Sequence, residues 1–402
     1  MLLRRIDQLE AKVAQLEAAR GQAGGAGTAE ASAPSIAAAQ APSEMPPDLQ
    51  GPEKMDLNKT WLRIRGFSDI TLHGSNHRND VPECVIHTCA PTSFSLGQVN
   101  LFVTSDISEK FKVISEIVFE AGTDNVFGVD LERMLLEYSY RDFLKLAVGR
   151  YHTSIGYYNT AYHHSTWFQT TTGRPFLFAF EDQGGILPVH NVGVSASGAI
   201  PSGPLGLHYV AEVGNGRASR SPLSEAVQNV VDENGHKAVN LALFARPDSV
   251  RGLQAGFSVY RDVLTPGAPG LGVAPGPVAA AHIGETILAA HAVLARPNFE
   301  WLNEALVIRH APQGTTLVYQ TPGFYSQISR RFGSYRPYFR YEYVNSQDKE
   351  PVFPDVGLRS GPSVGVRFDP AESVAVKLQY DYTALRRQQA ISALGLQVGF
   401  TF

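Results

Sequence analysis

Several things that would place this chain in a common class are missing from it. No stretch of its 402 residues approaches the roughly 18 uninterrupted apolar residues of a spanning helix, although 44% of them are hydrophobic. Mean hydropathy is -0.11. Helical membrane spans are excluded. Cysteine is limited to Cys84 and Cys89, which excludes a disulfide-dense scaffold. Neither sign of charge dominates: 34 Lys and Arg against 38 Asp and Glu give a formal net charge of -4, so no nucleic-acid partner is expected. A Gly-rich phosphate loop, an HExxH helix and paired Cys motifs are also absent. Ser195 and Ser197 in "GVSASG" do not form a nucleophile elbow, which needs Gly two residues before and after one Ser.

The two cysteines stand five positions apart in "ECVIHTC". Such a pair in a predicted loop reads as a small disulfide made in an oxidising compartment, the alternative being two unpaired thiols. His87 lies between them, but no second ligand pair follows, which argues against zinc. His163 and His164, with His152, form the other candidate metal cluster. Adjacent histidines on a loop more often simply titrate near neutral pH. No metal, no cofactor and no catalytic residue is expected.

What is present is alternation. The chain ends "LGLQVGFTF", with Leu394, Leu396, Val398, Phe400 and Phe402 at every second position and Gly395, Gln397, Gly399 and Thr401 between them. Side chains on a strand alternate between faces, so one face is apolar and the other small or polar. Chain ends are usually polar and loose; this one finishes on its most apolar residues. The pattern resembles the closing strand of bacterial outer-membrane β-barrels, where a C-terminal Phe signals to the insertion machinery. The 16 Tyr and 21 Phe suit the aromatic girdles of such a barrel.

Short alternating segments recur from Trp61 onward. The clearest are Leu62–Gly74, Lys110–Ala121, Val129–Tyr140, Phe143–Tyr151, Leu205–Gly214, Lys237–Ala245, Gly252–Arg261, Tyr335–Asn345, Ser363–Phe368, Ser373–Tyr382 and Leu394–Phe402. Phe94–Thr104, Gly185–Ala199, Glu285–Ala295, Phe299–His310 and Leu317–Phe332 are weaker. The connections alternate in length. Tight turns at 106–109, 140–143, 200–204, 246–249, 296–298, 333–334 and 369–372 are interleaved with long stretches at 75–92, 152–184, 215–235, 262–280 and 346–359. This sorting is the trace of tight turns on one rim and external loops on the other, and it predicts an all-β, transmembrane antiparallel barrel of about sixteen strands over residues 61–402. A soluble sheet with one wet face would give the same strand pattern, so the loop sorting and the terminal Phe carry the distinction. Phe299–His310 has no clear facing, because Glu304 shares parity with Leu302, Leu306 and Ile308.

The N-terminus has another character. Leu2, Ile6, Leu9, Val13 and Leu16 are spaced 4-3-4-3, which predicts a coiled-coil helix over residues 1–20. Residues 21–60 are rich in Ala, Gly, Pro and Ser and form a flexible linker. Met1–Arg20 lacks the apolar core of a secretory leader, so an outer-membrane destination requires a leader removed or encoded upstream.

The stretch "VDLERMLLEYSYRDFLKLAVGRYHTSIGYYNTAYHHSTWFQTTTGRP" (Val129–Pro175) resembles the core of the phosphate-selective porin O and P family, through Glu132, Leu136, Glu137 and Tyr138, then Leu146, Gly149, Arg150, Ile155, Gly156 and Asn159. The family's "TPFG" element is replaced by Thr153-Ser154-Ile155-Gly156, and no Arg-rich eyelet is recognisable. The resemblance implies a water-filled channel for passive diffusion of small hydrophilic solutes or ions. Segment 152–184 would be its constriction loop, bringing Tyr157, Tyr158, His163, His164, Arg174, Glu181 and Asp182 to the narrowest point. The facing wall would supply Arg63, Arg65, Arg133, Lys145, Arg336, Arg340, Arg367 and Lys377, interleaved with Asp69, Glu116, Glu120, Glu137, Glu342 and Asp381. Mixed signs argue for a transverse field rather than a strong anion filter. Outer-membrane lipid and a homotrimer, joined through the barrel wall and the coiled coil, are the implied partners, with contact to the cell wall a further expectation. A phosphate-selective channel, a barrel enzyme and a cell-wall tether are the competing readings.

Overall fold

The computed structural model describes residues 61–76, 92–121, 126–162, 166–180, 185–217, 232, 234–265, 282–352, 354 and 356–402. The expected N-terminal helix and linker, the Cys84–Cys89 pair, His163, His164, Glu181 and Asp182 lie outside them.

Sixteen antiparallel strands close into a barrel in sequence order. The up-running strands are β1 (Trp61–Ser75), β3 (Phe111–Ala121), β5 (Leu144–His152), β7 (Leu207–Gly214), β9 (Leu253–Leu264), β11 (Phe299–Pro312), β13 (Tyr335–Asn345) and β15 (Val374–Leu385). Between them return β2 (Ser93–Asp106), β4 (Phe127–Arg141), β6 (His190–Ile200), β8 (Ala238–Ala245), β10 (Ile283–Arg296), β12 (Tyr319–Arg330), β14 (Leu358–Ala371) and β16 (Ile391–Thr401). Every expected segment is a strand. Two strands have a boundary that differs by more than three residues. β6 begins at His190 rather than Gly185, because Ile186, Leu187 and Val189 are buried in the barrel interior. β14 runs well beyond Ser363–Phe368, since Gly361 and Pro362 still pair with Glu342 and Tyr341.

The rims are sorted as expected, with one refinement. All seven tight turns fall on the rim that holds both barrel ends. On the other rim five connections are long, but those after β3, β11 and β15 are short as well.

The alternation of the closing strands holds. Leu394, Leu396, Leu378, Tyr380, Phe339 and Tyr341 face outward and are exposed, whereas Gln397, Lys377, Gln379 and Arg340 face inward and are buried. Trp61, Tyr140, Phe143, Phe332, Tyr335 and Phe402 are exposed beside the tight-turn rim. On β9 to β12 the inner face departs from the expected charge-rich lumen. There Tyr260, Ile287, Val293, Leu302, Leu306, Ile308 and Tyr325 point inward and are buried in one apolar cluster. This explains the parity of β11: Glu304 and its leucines all face inward, onto chain that fills this side of the bore.

Closure joins β1 to β16 from Phe67↔Thr401 to Ser75↔Ala393. The seam ends where Gly66 and Phe402 exchange two backbone hydrogen bonds of 2.9 Å. A Cβ on Gly66 would run into the Phe402 ring, so the terminal aromatic lies flat on a glycine. Gly66→Val should therefore displace that ring at a cost of about 1–3 kcal/mol, the usual price of overpacking. Gly128→Val, where a Cβ meets nothing within 4 Å, should be neutral. The check is the temperature at which each variant loses its compact, heat-modifiable gel migration. Equal values would show that the ring does not depend on Gly66.

Candidate functional site

Between β5 and β6 the chain turns into the barrel and crosses it. It forms a short helix, α1 (Tyr158–Ala161), and 3-10 turns at Thr166–Phe168 and Phe176–Phe178. Backbone placed inside a barrel must find partners for its N–H and C=O groups, and here charged wall residues supply them.

Acids accept from the N–H groups. Glu212 of β7 accepts from the Ser154 N–H at 3.1 Å and from its hydroxyl at 2.9 Å. Glu304 of β11 accepts from the N–H groups of Tyr157 and Tyr158 at 2.5 and 2.9 Å, and from the Tyr325 hydroxyl at 2.7 Å. Glu342 of β13 accepts from the Phe176 N–H at 2.7 Å.

Cations donate to the carbonyls. Lys377 Nζ, fully buried, donates to Thr166 O at 2.5 Å and Thr171 O at 2.8 Å. Arg367 Nη1 donates to Trp167 O at 2.7 Å and Gln169 O at 2.9 Å. Arg340 Nη1 donates to Gly173 O at 2.8 Å and Thr171 Oγ1 at 3.0 Å. The rings of Trp167 and Phe168 pack on Phe67 of β1.

The other expected residues divide by position. Arg174 lies within the crossing segment, its guanidinium 4.0 Å from the Phe180 ring centroid and 5.1 Å from that of Tyr158. It donates to the carbonyls of Phe178 and Tyr162. Burial pushes the Tyr157 and Tyr162 phenols above their ordinary range, with Glu300 adding to the effect. Arg133 pairs with Glu116 at 2.7 Å on the β3–β4 arc, away from the attachments described above. Arg63, Arg65, Lys145 and Arg336 belong to the tight-turn end; Arg63 is 3.5 Å from Asp106, and Arg336 donates to Pro297 O at 2.8 Å. Thus Arg340, Arg367 and Lys377 gather around the segment, and the rest of the basic set does not.

Sequence reasoning missed Glu212, Glu300 and Glu304. The signal for Glu304 was available as an acid sharing a strand face with Leu302, Leu306 and Ile308.

Glu304→Leu should leave two buried N–H groups without an acceptor, at about 1–3 kcal/mol each. Amide hydrogen exchange at Tyr157 and Tyr158 should accelerate strongly, while Glu304→Gln, which keeps a carbonyl acceptor, should accelerate it less. Unchanged exchange in Glu304→Leu would show that the wall carboxylate does not hold the segment.

No protein-family model matches the chain, and no curated protein matches it in sequence. Solved structures do match it in shape. An anion-selective porin from Comamonas acidovorans has a TM-score of 0.57 at 10% identity, covering 86% of this chain and 100% of its own. The outer-membrane channel DcaP of Acinetobacter baumannii has a TM-score of 0.55 at 11% identity, covering 86% and 98%. The trimer form of OmpT, an outer membrane protein of Vibrio cholerae, has a TM-score of 0.54 at 10% identity, covering 85% and 99%. The chain has the sixteen-stranded barrel fold of these bacterial outer-membrane porins.

Proposed function

We propose that this chain is a bacterial outer-membrane porin, a water-filled channel for passive diffusion of small hydrophilic solutes or ions, narrowed by segment 152–184. One observation carries the reading: a closed barrel that is apolar and exposed around its outer wall holds charged side chains and a tethered crossing segment within its bore. An apolar outer wall is stable against lipid and costly against water. The resemblance of Val129–Pro175 to the porin O and P family supports the same reading. Strong phosphate selectivity is disfavoured, because Arg340, Arg367 and Lys377 direct donors to backbone carbonyls.

Planar-bilayer conductance of the full chain under a salt gradient tests this. Ohmic steps are expected. Arg340→Ala should shift the reversal potential toward cation preference, because fixed charge sets the local ion concentration. It should also make the open current noisier, since the Thr171 and Gly173 contacts go with the side chain. Absence of any current would reject the channel and favour a tether or an enzyme.

Assembly as a homotrimer, through the barrel wall and an N-terminal coiled coil, is part of the proposal. Deleting Met1–Arg20 should lower the stability of the detergent-solubilised trimer, as read by its mass on dilution. A full-length monomer would give the 4-3-4-3 seam another purpose, such as contact with the cell wall.

A further inference from the structure

Among the described strands, the outer wall toward the external-loop rim carries its charge on one rung. On β9, β10 and β11 the outward residues share parity with the exposed Phe257, Leu288 and Trp301. The intervening Tyr260, Ile287 and Ile308 are buried on the inner side. Arg261, Thr286 and Arg309 have the outward parity, and both arginines are exposed. Register sets Arg261 and Arg309 opposite Thr286, one on either side of β10. Gln320 of β12 extends the rung, opposite Arg309. Arg261, Thr286 and Arg309 each lie three residues from the external end of their strand, at Leu264, Ile283 and Pro312.

Neither guanidinium has a hydrogen bond or ion pair among the described residues. The neighbouring acids turn away. Asp262 accepts from the Tyr260 hydroxyl at 3.0 Å and the Arg217 N–H at 3.1 Å, and Glu285 pairs with His310 at 2.8 Å, all on the inner side. The adjoining connections add no acid, because residues 265–282 and 313–318 contain no Asp or Glu. No Asp or Glu lies on the outward face of a described strand either, so the wall strands of a second copy supply no counter-charge. Adjacent strands lie about 4.8 Å apart, which sets the two arginine backbones roughly 10 Å apart with Thr286 between them. Side chains of this length reach a common headgroup over Thr286. The next rungs down are Val259, Leu288 and Val307, then Phe257, Ala290 and Ala305. Successive outward rungs are about 6.8 Å apart, so the wall passes from two cations to hydrocarbon in one step. A cation on the lipid face is tolerated at that depth and costly at the midplane.

We propose that this rung binds the phosphorylated headgroup of an outer-leaflet glycolipid, with phosphate oxygens on Arg261 and Arg309 and acyl chains along Phe257, Leu288 and Ala305. A planar guanidinium takes phosphate in a bidentate, charge-assisted contact. The apolar rungs beneath retain a lipid and offer a free phosphate ion nothing. The site rests on the outer-membrane reading for the presence of such a lipid, and it is independent of conduction through the bore.

The test uses the full chain folded in detergent, with diphosphoryl lipid A as the probe and native mass spectrometry as the readout. Dephosphorylated lipid A keeps the sugars and acyl chains without the charge, and inorganic phosphate supplies the charge without the chains. Lipid A should bind about tenfold or more tightly than its dephosphorylated form, one charge-assisted contact being worth on the order of a decade. Inorganic phosphate in molar excess should not displace it. Arg261→Gln and Arg309→Gln should each weaken lipid A about tenfold and leave the dephosphorylated form unchanged. Arg330→Gln removes an outward cation at the tight-turn rim and should change neither. Retained heat-modifiable migration identifies the variants that are folded. Equal binding of the two lipid forms would overturn the proposal, as would displacement by inorganic phosphate or an equal loss in Arg330→Gln. Loss of protein subunits rather than lipid from the Arg261 and Arg309 variants would also overturn it, making the rung an interface between copies. Bound lipid without current in bilayers would uphold the site and reject the channel alone; current without bound lipid would do the reverse.

Discussion

Everything inside this barrel depends on backbone polar groups finding charged partners on the wall. A segment drawn into the bore loses bulk water around its amides and has no neighbouring strand to pair with. Wall carboxylates take its N–H groups and wall cations take its carbonyls, so each sign of charge meets the end of the peptide dipole that it attracts. Glu304, with three donors on one carboxylate, and Lys377, with two carbonyls on one ammonium, are the firmest points. A buried ion usually carries a desolvation penalty that a single contact does not offset. Here several hydrogen bonds share it, and the hydrophobic cluster around Tyr158 and Phe178 shields the contacts from exchange with water.

This changes the meaning of mixed charge in the bore. Residues that read as a field across an open eyelet are to a large degree the scaffold that holds the crossing chain. Arg340 and Arg367 still contribute to the potential, but their donors, like those of Lys377, point at carbonyls. Paired residues such as Arg133 with Glu116, on the β3–β4 arc, are placed differently. The positioning of the segment and the electrostatics of the bore are therefore one problem, not two.

The fold was largely legible because a barrel wall imposes one rule on every strand. Lipid-facing and lumen-facing residues alternate, and Ser373–Tyr382 and Leu394–Phe402 obey this without exception. β9 to β12 were harder to read, since their inner face packs on protein and mixes Ile287, Leu302, Leu306 and Ile308 with buried groups such as Asp262, Glu285 and Glu304. The period of two survived there, but the polarity that tells inside from outside did not. Site residues were legible as charges and not as partners. Whether Arg340 faces water or a carbonyl depends on where residues 171–173 run, and no local pattern encodes that path.

The seam between the first and last strands has a kinetic consequence. Fifteen of the sixteen strand pairs join neighbours in the chain, and the sixteenth joins residues 335 positions apart. Closing a loop of that length costs about 4 kcal/mol more in chain entropy than closing a four-residue hairpin. Until that step is complete, β1 and β16 are both open edges able to pair with other chains. The barrel therefore becomes safe from aggregation only when its final nine residues are in place, and an assembly factor that holds the last strand until the first arrives would act on the slowest and most exposed event in its folding.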